Sequence, residues 1–153
     1  MTKSQLAWRL WLFGLLRIRL IGFVRPRIID VSEQGMTIRI PLSRRTRNHV
    51  GSQYLAVQTI GADLACGFYA YYLMEVMGVE APPVFKTMQA HYLKRAEGDV
   101  DFTCSEYDKV QEMVQYIKEH PGQRITKHVN VVATCNGEEV ALFDMELSLK
   151  AKA

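Results

Sequence analysis

The feature that most constrains this chain is an almost uncharged stretch at residues 51–74. Its twenty-four residues include one charged side chain, Asp63, and no proline. At 3.6 residues per turn, this length supports about six turns of α-helix. A helix that is apolar on nearly every side is a buried helix. The sequence therefore predicts one long helix running through the core.

Asp63 is the exception within this stretch. An ionised carboxylate in apolar surroundings is costly unless it is paired, hydrogen-bonded or protonated. On a helical wheel Asp63 shares its face with small residues such as Ala56, Gly67 and Ala70, so a strand, a second chain or a ligand can approach closely. Two interpretations stay open: a structural carboxylate bonded to amides or a tyrosine hydroxyl, and a working group in a site.

Length and cysteine content limit the class of protein. A chain of 153 residues with 48% hydrophobic residues is long enough for one domain with a real core. Three cysteines, an odd number without paired spacing, indicate a reducing compartment and hence a cytoplasmic location. No histidine lies at helical spacing from Cys66, which disfavours a nucleophilic thiol. No group of side chains has metal-ligand spacing, so neither a metal nor a cofactor is predicted.

Charge is unevenly distributed along the chain. Residues 1–50 carry ten Lys/Arg and two Asp/Glu, a net charge of +8, whereas residues 51–153 carry a net charge of −5. A basic first third suggests an anionic partner: a phosphate, a membrane surface or nucleic acid. Nucleic acid is the weakest of the three, because no aromatic–basic motif or recognition helix accompanies the charge. We predict no nucleic-acid partner.

Residues 1–24 form a separate segment, predicted to be an amphipathic helix. Arg9, Arg17 and Arg19 interrupt its apolar residues, which argues against both a membrane span and a signal peptide. Two interpretations stay open: a helix packed on the core or on a partner subunit, and a helix lying in a membrane interface as a peripheral contact. The apolar residues on one side of this helix are Trp8, Trp11, Leu12, Leu15 and Leu16.

The rest of the chain, residues 25–153, has the pattern of one α+β domain. Alternating apolar residues predict strands at 27–32, 36–42, 84–95, 100–104, 125–135 and 140–149. Residues 108–120 form an amphipathic helix, and Asn136-Gly137 is a strong hairpin signal. The order is a helix, two strands, the long helix, and four strands with a short helix between the second and third. One long helix wrapped by an antiparallel sheet fits this order.

A short motif leads into the long helix. Asn48 and Gly51 have the spacing Asn-x-x-Gly, and Asp63 lies seven positions after Ala56. With the element order, this resembles the hotdog fold, in particular the acyl-CoA thioesterases of the phenylacetate-degradation type and their uncharacterised relatives. That family motif is Asn-x-x-Gly-x-x-His-Gly-Gly, followed by an acidic residue at the position of Asp63. This chain departs from it with Tyr54-Leu55-Ala56 in place of His-Gly-Gly.

The resemblance implies a role for each matching position. Asp63 would be the general base that activates water, or the nucleophile. Asn48 would position the water or polarise the thioester, facing the acidic residue of a neighbouring subunit. Gly51 and the backbone amides near Tyr54, Leu55 and Ala56 would hold the substrate and its developing oxyanion. The Cβ atoms of Leu55 and Ala56 restrict the approach of a substrate to these amides, which glycine would leave open.

Four further side chains lie near this motif. Arg44, Arg45 and Arg47 are candidates for holding the phosphates of coenzyme A, with a solvated basic loop as the alternative. His49 is a candidate proton shuttle or substrate-binding residue, with a hydrogen-bonded structural role as the alternative.

The resemblance also implies a homodimer whose two sheets join, with a tetramer left open. The predicted function is hydrolysis of an acyl-CoA or acyl-carrier thioester by a water that Asp63 activates. One alternative is a non-catalytic acyl-binding protein that kept the pocket without His-Gly-Gly. The other is a membrane-surface protein bound through its basic N-terminus.

Overall fold

The computed structural model describes all 153 residues. Four helices are present: α1 Lys3–Leu16, α2 Arg19–Val24, α3 Leu55–Met77 and α4 Tyr107–Glu119. The strands are β1 Arg27–Ser32, β2 Gly35–Ile40, β3 Val84–Tyr92, β4 Val100–Cys104, β5 Arg124–Cys135 and β6 Glu138–Lys150. The order of elements confirms the α+β prediction.

All six strands form one antiparallel sheet with the order β1-β2-β4-β5-β6-β3. The long helix α3 packs against β2, β4 and β5 in the middle of the sheet, and α4 packs beside it on β5. Two strands lie at the edges, β1 at one end and β3 at the other. The side of β3 that faces away from β6 therefore has no strand beside it in the protomer.

Close packing holds α3 against the sheet. A Cβ atom added at Gly61 would lie 2.3 Å from the ring of Phe102, a side chain of β4 that is fully buried. Most of the helix is buried, as the uncharged stretch predicts. It ends at Gly78, whose φ of 69° is the left-handed conformation that suits a helix C-terminus.

The helix begins at Leu55, four residues after Gly51, and so later than the uncharged stretch indicates. Gly51 has a φ of +83°, and Tyr54 is extended, so the intervening residues form a loop. The loop residues carry no charge, and Ser52 and Gln53 are buried, so the absence of charge alone did not distinguish this loop from the helix that follows it.

The predicted N-terminal helix is two helices in the structure. It breaks at Arg17 and Ile18, and α1 and α2 cross where a Cβ atom at Gly14 would lie 2.8 Å from the backbone nitrogen of Gly22. Leu6 and Leu10 of α1 are buried in the core, so one side of this helix packs on the domain itself. The side with Trp8, Trp11, Leu15 and Leu16 is exposed. No helix in the structure has the length and apolarity that crossing a membrane requires.

The contact between α3 and β4 predicts that a single methyl group added at Gly61 destabilises the fold. We expect Gly61→Ala to lower the free energy of unfolding by about 1–3 kcal/mol, because the buried Phe102 ring has no free space to move into. Chemical denaturation measures this change. Val76→Ala, at an exposed position of the same helix, is the control and should change stability by less than about 0.5 kcal/mol. Equal stability of Gly61→Ala and the wild type would contradict the packing.

Candidate functional site

The loop before α3 is held together by Asn48. Its side-chain oxygen accepts hydrogen bonds from the backbone amides of Val50, at 3.0 Å, and Ser52, at 3.1 Å. The backbone nitrogen of Asn48 donates to the carbonyl oxygen of Ser52 at 2.7 Å. The left-handed φ of Gly51 completes the turn between them. Within the protomer, the oxygen of the Asn48 amide therefore closes the loop.

The first turn of α3 is open to a ligand. Tyr54 is the N-cap residue but makes no capping hydrogen bond through its side chain. The amides of Leu55 and Ala56 have no hydrogen-bond acceptor in the protomer, and both residues are exposed. Unpaired amides at a helix N-terminus, where the helix dipole is positive, favour a negatively charged group. These amides are unpaired donors that solvent or a ligand can reach.

Asp63 lies farther along α3, beside the edge strand β3. Gly67, one turn later, lies close to both Asp63 and β3. A Cβ atom added at Gly67 would be 3.5 Å from the Asp63 Oδ1 atom and 3.3 Å from the ring of Phe85 on β3. Asp63 takes part in no hydrogen bond and no salt bridge with any residue of the chain. Partial burial raises the pKa of its carboxyl group, because a low-dielectric environment disfavours the charged form. A purely structural role for the Asp63 carboxylate would require hydrogen-bond donors close to it, and the protomer supplies none.

A single protomer keeps the two parts of the predicted site apart. Leu55 and Asp63 are eight residues apart on α3, which corresponds to about 12 Å at 1.5 Å per residue. The loop that Asn48 closes comes before Leu55 in the chain and leads into the start of the same helix. The open amides and the carboxylate therefore do not act on one small group within a single protomer.

The basic residues of the loop have no acidic partner in the protomer. Arg44, Arg45 and Arg47 are exposed and form no salt bridge with an acidic side chain. The Arg45 guanidinium lies 5.2 Å from the centre of the Phe23 ring, a cation–π contact that ties the loop to α2. His49 is also exposed, and its side chain forms no hydrogen bond with another residue. This is at odds with the structural, hydrogen-bonded interpretation of that histidine.

Two buried glutamines near the start of α3 were missed in the sequence. The side-chain nitrogen of Gln53 donates to the carbonyl oxygen of Ile40 at 3.0 Å, and that of Gln58 donates to the carbonyl oxygen of Gln53 at 3.3 Å. The side-chain oxygen of each accepts no hydrogen bond from the chain. A buried side-chain amide with an unpaired oxygen lowers the stability of the fold. The two glutamines in a mostly apolar segment were therefore the sequence signal that could have identified these positions.

The family of this chain is established by comparison with known sequences. A profile described as a domain of unknown function (DUF4442) matches residues 16–149. This chain belongs to the DUF4442 family. A search of curated proteins found no match.

Solved structures with similar folds cover almost all of the DUF4442 chain. A proposed thioesterase from Shewanella oneidensis has a TM-score of 0.83 at 16% identity, and covers 96% of this chain and 98% of its own. A protein of unknown function from Chlorobaculum tepidum has a TM-score of 0.85 at 12% identity, with 99% and 98% covered. With the central helix and the antiparallel sheet, these similarities confirm the hotdog fold.

A third relative is represented by two structures with substitutions. They are of a Staphylococcus aureus protein, named a thioesterase in one of them, with a TM-score of 0.67 at 14% identity over 86% of this chain and 98% of its own. One has a glutamine replaced by alanine and the other a glutamate replaced by alanine, at positions fifteen residues apart.

The raised pKa of Asp63 predicts how stability depends on pH. Since the folded chain binds this proton more tightly than the unfolded chain, the associated stability is present below the unfolded pKa and is lost as pH rises through the folded pKa. We expect Asp63→Asn, which carries no charge, to melt a few °C above the wild type at pH 7. A change of about 1 kcal/mol shifts the melting temperature of a domain this size by roughly 2–4 °C.

This difference in melting temperature should shrink as the pH falls through the folded pKa, and it should vanish below about pH 3, where an aspartate with the ordinary pKa of about 3.9 is protonated in the unfolded state as well. Calorimetry of both proteins between these pH values measures it. The exposed Asp30→Asn variant is the matched control and should show no such gap. A lower melting temperature for Asp63→Asn at pH 7 would mean that the carboxylate is stabilised by donors, contrary to its surroundings in the protomer.

Proposed function

We propose that this DUF4442 protein is a thioesterase-type hydrolase that acts on an acyl-CoA or acyl-carrier thioester as a homodimer. The observation that carries the proposal is Asp63, a carboxylate on the central helix with a raised pKa and no partner in its own protomer. A partly desolvated carboxylate is a stronger base than one in water, which suits the removal of a proton from water.

The chemistry assigns one role to each group. Asp63 takes a proton from a water molecule, whose oxygen attacks the thioester carbonyl carbon. The amides of Leu55 and Ala56 stabilise the oxyanion that forms. The intermediate then collapses, the carbon–sulfur bond breaks, and the thiolate leaves and takes up the proton, giving a carboxylic acid and a thiol. In the alternative with Asp63 as nucleophile, the carboxylate attacks the thioester carbonyl carbon and the thiolate leaves, giving an acyl-enzyme anhydride; water then cleaves the anhydride to the carboxylic acid and free Asp63.

The spacing of the polar residues supports the site. Asn48 and Asp63 are fifteen residues apart. The two positions replaced by alanine in the Staphylococcus aureus thioesterase, a glutamine and a glutamate, are separated by the same number of residues. In both chains a side-chain amide precedes a carboxyl group by this interval. The pair in this chain has the same functional groups with shorter side chains.

Within one protomer the open amides and the Asp63 carboxylate are separated by about 12 Å along α3. A second protomer would bring its own amides and loop close to this carboxylate. The edge strand β3 has nine residues and pairs with β6 on one side only. An unpaired edge invites another strand, and two-fold pairing of β3 with its copy would join the two sheets. Such pairing sets the two α3 helices antiparallel, with Asp63 directed towards the loop of the other protomer.

Exposed apolar side chains near the edge are consistent with this dimer. Val84, Tyr92 and Leu93 are 47%, 44% and 51% exposed, at the two ends of β3. The Tyr92 hydroxyl donates to the carbonyl oxygen of Leu55 at 3.3 Å, which connects the edge strand to the open helix N-terminus. The dimer would thus cover the surface that borders the site.

The arginines Arg44, Arg45 and Arg47 supply a place for a phosphorylated carrier. They precede the open helix N-terminus and have no acidic partner in the protomer. Guanidinium groups bind phosphate through paired hydrogen bonds, and coenzyme A and phosphopantetheine carriers both present phosphate at the end remote from the thioester.

A second candidate is a protein that binds acyl ligands without hydrolysis. It is favoured by Asn48, whose side-chain oxygen is used to close its own loop. It is also favoured by the side chains of Leu55 and Ala56, which stand where the motif of the phenylacetate-degradation thioesterases has glycines.

Thiol release from a panel of short, medium, long and aryl acyl-CoAs tests the first candidate. We expect turnover by the wild type and a loss of about 10²–10⁴-fold in Asp63→Asn, the range for removal of a general base. Asp30→Asn is the matched control and should keep full activity. Binding of acyl-CoA by a folded wild type without any turnover would contradict the hydrolase and favour the second candidate.

The dimer has its own prediction. Val84→Lys places a charge at the exposed edge of β3 and should shift sedimentation towards the monomer, with a parallel loss of turnover although Asp63 is intact. Val76→Lys, at a similarly exposed position near the end of α3, should leave both unchanged. Full activity of a monomeric Val84→Lys protein would show that one protomer suffices.

A further inference from the structure

The α1–α2 hairpin, residues 3–24, presents an apolar surface that the proposed hydrolase does not use. Leu6 and Leu10 face the core. At 100° per residue, Trp8, Trp11 and Leu15 lie on the other side of α1, and their side chains are 59%, 55% and 52% exposed. This helix is therefore apolar on the side that packs and on the side that faces solvent.

The second helix continues this exposed surface. The further large apolar side chains exposed in the hairpin and its turn are Phe13, Leu16, Ile18, Leu20 and Phe23. Single exposed apolar residues are ordinary in a soluble protein. A concentration of eight within two adjoining helices and their turn is not, and a large exposed apolar surface marks a place of interaction.

Charge narrows the choice of partner. Residues 1–29 contain six Lys/Arg and no Asp or Glu. A groove of about 750 Å³ runs between α1 and α2, with Trp11, Leu15 and Phe23 among its apolar walls. The arginines that line the same groove are Arg19, Arg25, Arg27 and Arg45. None of these four forms a salt bridge within the chain, so the groove combines apolar walls with unneutralised positive charge.

A second copy of the chain suits this surface poorly. A two-fold contact places the same patch on both sides, so arginines would face arginines with no carboxylate of the hairpin to neutralise them. An anionic phospholipid bilayer has both complementary features. Its acyl region accepts the aromatic and aliphatic side chains, and its phosphates accept the arginines.

We propose that the α1–α2 hairpin docks this protein onto an anionic phospholipid bilayer. The hairpin lies in the plane of the interface, with Trp8 and Trp11 at the boundary between headgroups and acyl chains, where tryptophan is favoured. Arg19 and Arg27 bind lipid phosphates at the groove. The contact is peripheral and independent of the hydrolase chemistry, so either proposal can fail without the other.

The chain carries its own reporter for this contact. Trp8 and Trp11 are its two tryptophans, so intrinsic tryptophan fluorescence reports on the hairpin alone. We expect a blue shift and co-sedimentation when the full chain is titrated with phosphatidylcholine vesicles containing about one quarter phosphatidylglycerol, and neither with pure phosphatidylcholine. Raising the salt from about 0.1 M to 1 M, which shortens the Debye length from about 10 to 3 Å, should weaken binding.

Variants separate the charged from the apolar contribution. Arg19→Gln/Arg27→Gln should bind anionic vesicles about thirtyfold more weakly, the effect of two charges at about 1 kcal/mol each. Arg95→Gln/Lys150→Gln removes two exposed cations outside the hairpin and is the charge-matched control, with affinity close to wild type. Trp11→Ser should weaken binding at least tenfold, with Trp8 retained as the reporter. Leu142→Ser, at an exposed apolar position on β6, is its control.

Three outcomes would overturn the proposal. One is absence of binding to the anionic vesicles at low salt. Another is equal weakening by Arg19→Gln/Arg27→Gln and by its charge-matched control, which would mean that only net charge matters. The third is loss of self-association in Trp11→Ser, measured by sedimentation velocity, in a protein that binds no vesicles; this would assign the surface to a second copy of the chain.

Discussion

The architecture depends on close contact between the central helix and the sheet. Because Gly61 has no side chain, the Phe102 ring of β4 occupies the space beside α3, and the helix lies directly on the strands. This contact fixes the position of the helix along the sheet. It thereby sets which residues of α3 face the core and which, like Asp63, face the edge strand β3. The location of the candidate site follows from this packing rather than from local loop structure.

The same packing places an ionisable group where solvent stabilises it poorly. Asp63 lies near the Phe85 ring, and its carboxyl group has a raised pKa without a compensating donor from its own chain. A group held in this way lowers the stability of the folded chain at neutral pH, and such a cost is typical of functional sites. Two buried glutamine oxygens without donors, on Gln53 and Gln58, lie near the start of the same helix. Unsatisfied polar groups thus lie in the N-terminal half of α3 and in the loop before it.

Most elements were predictable because their patterns are local. The uncharged stretch identified α3, alternating apolar residues identified the strands, and Asn136-Gly137, both with positive φ, forms the hairpin between β5 and β6. The start of α3 was misplaced because a loop with buried residues has the same composition as a buried helix. The break at Arg17 and Ile18 was missed because the contact that produces it, between Gly14 and Gly22, joins residues on two different helices.

For the site, the sequence by itself determined the identity and spacing of the groups: one carboxylate in an apolar helix, an Asn-x-x-Gly loop before it, and a basic first third. Only the tertiary structure decided what those groups are free to do. It showed that the Asn48 oxygen is used within its own loop, that the amides of Leu55 and Ala56 are unpaired, and that Asp63 has no donor nearby. The physical reason is that hydrogen-bond satisfaction and burial depend on distances between residues far apart in the chain, which periodicity does not record.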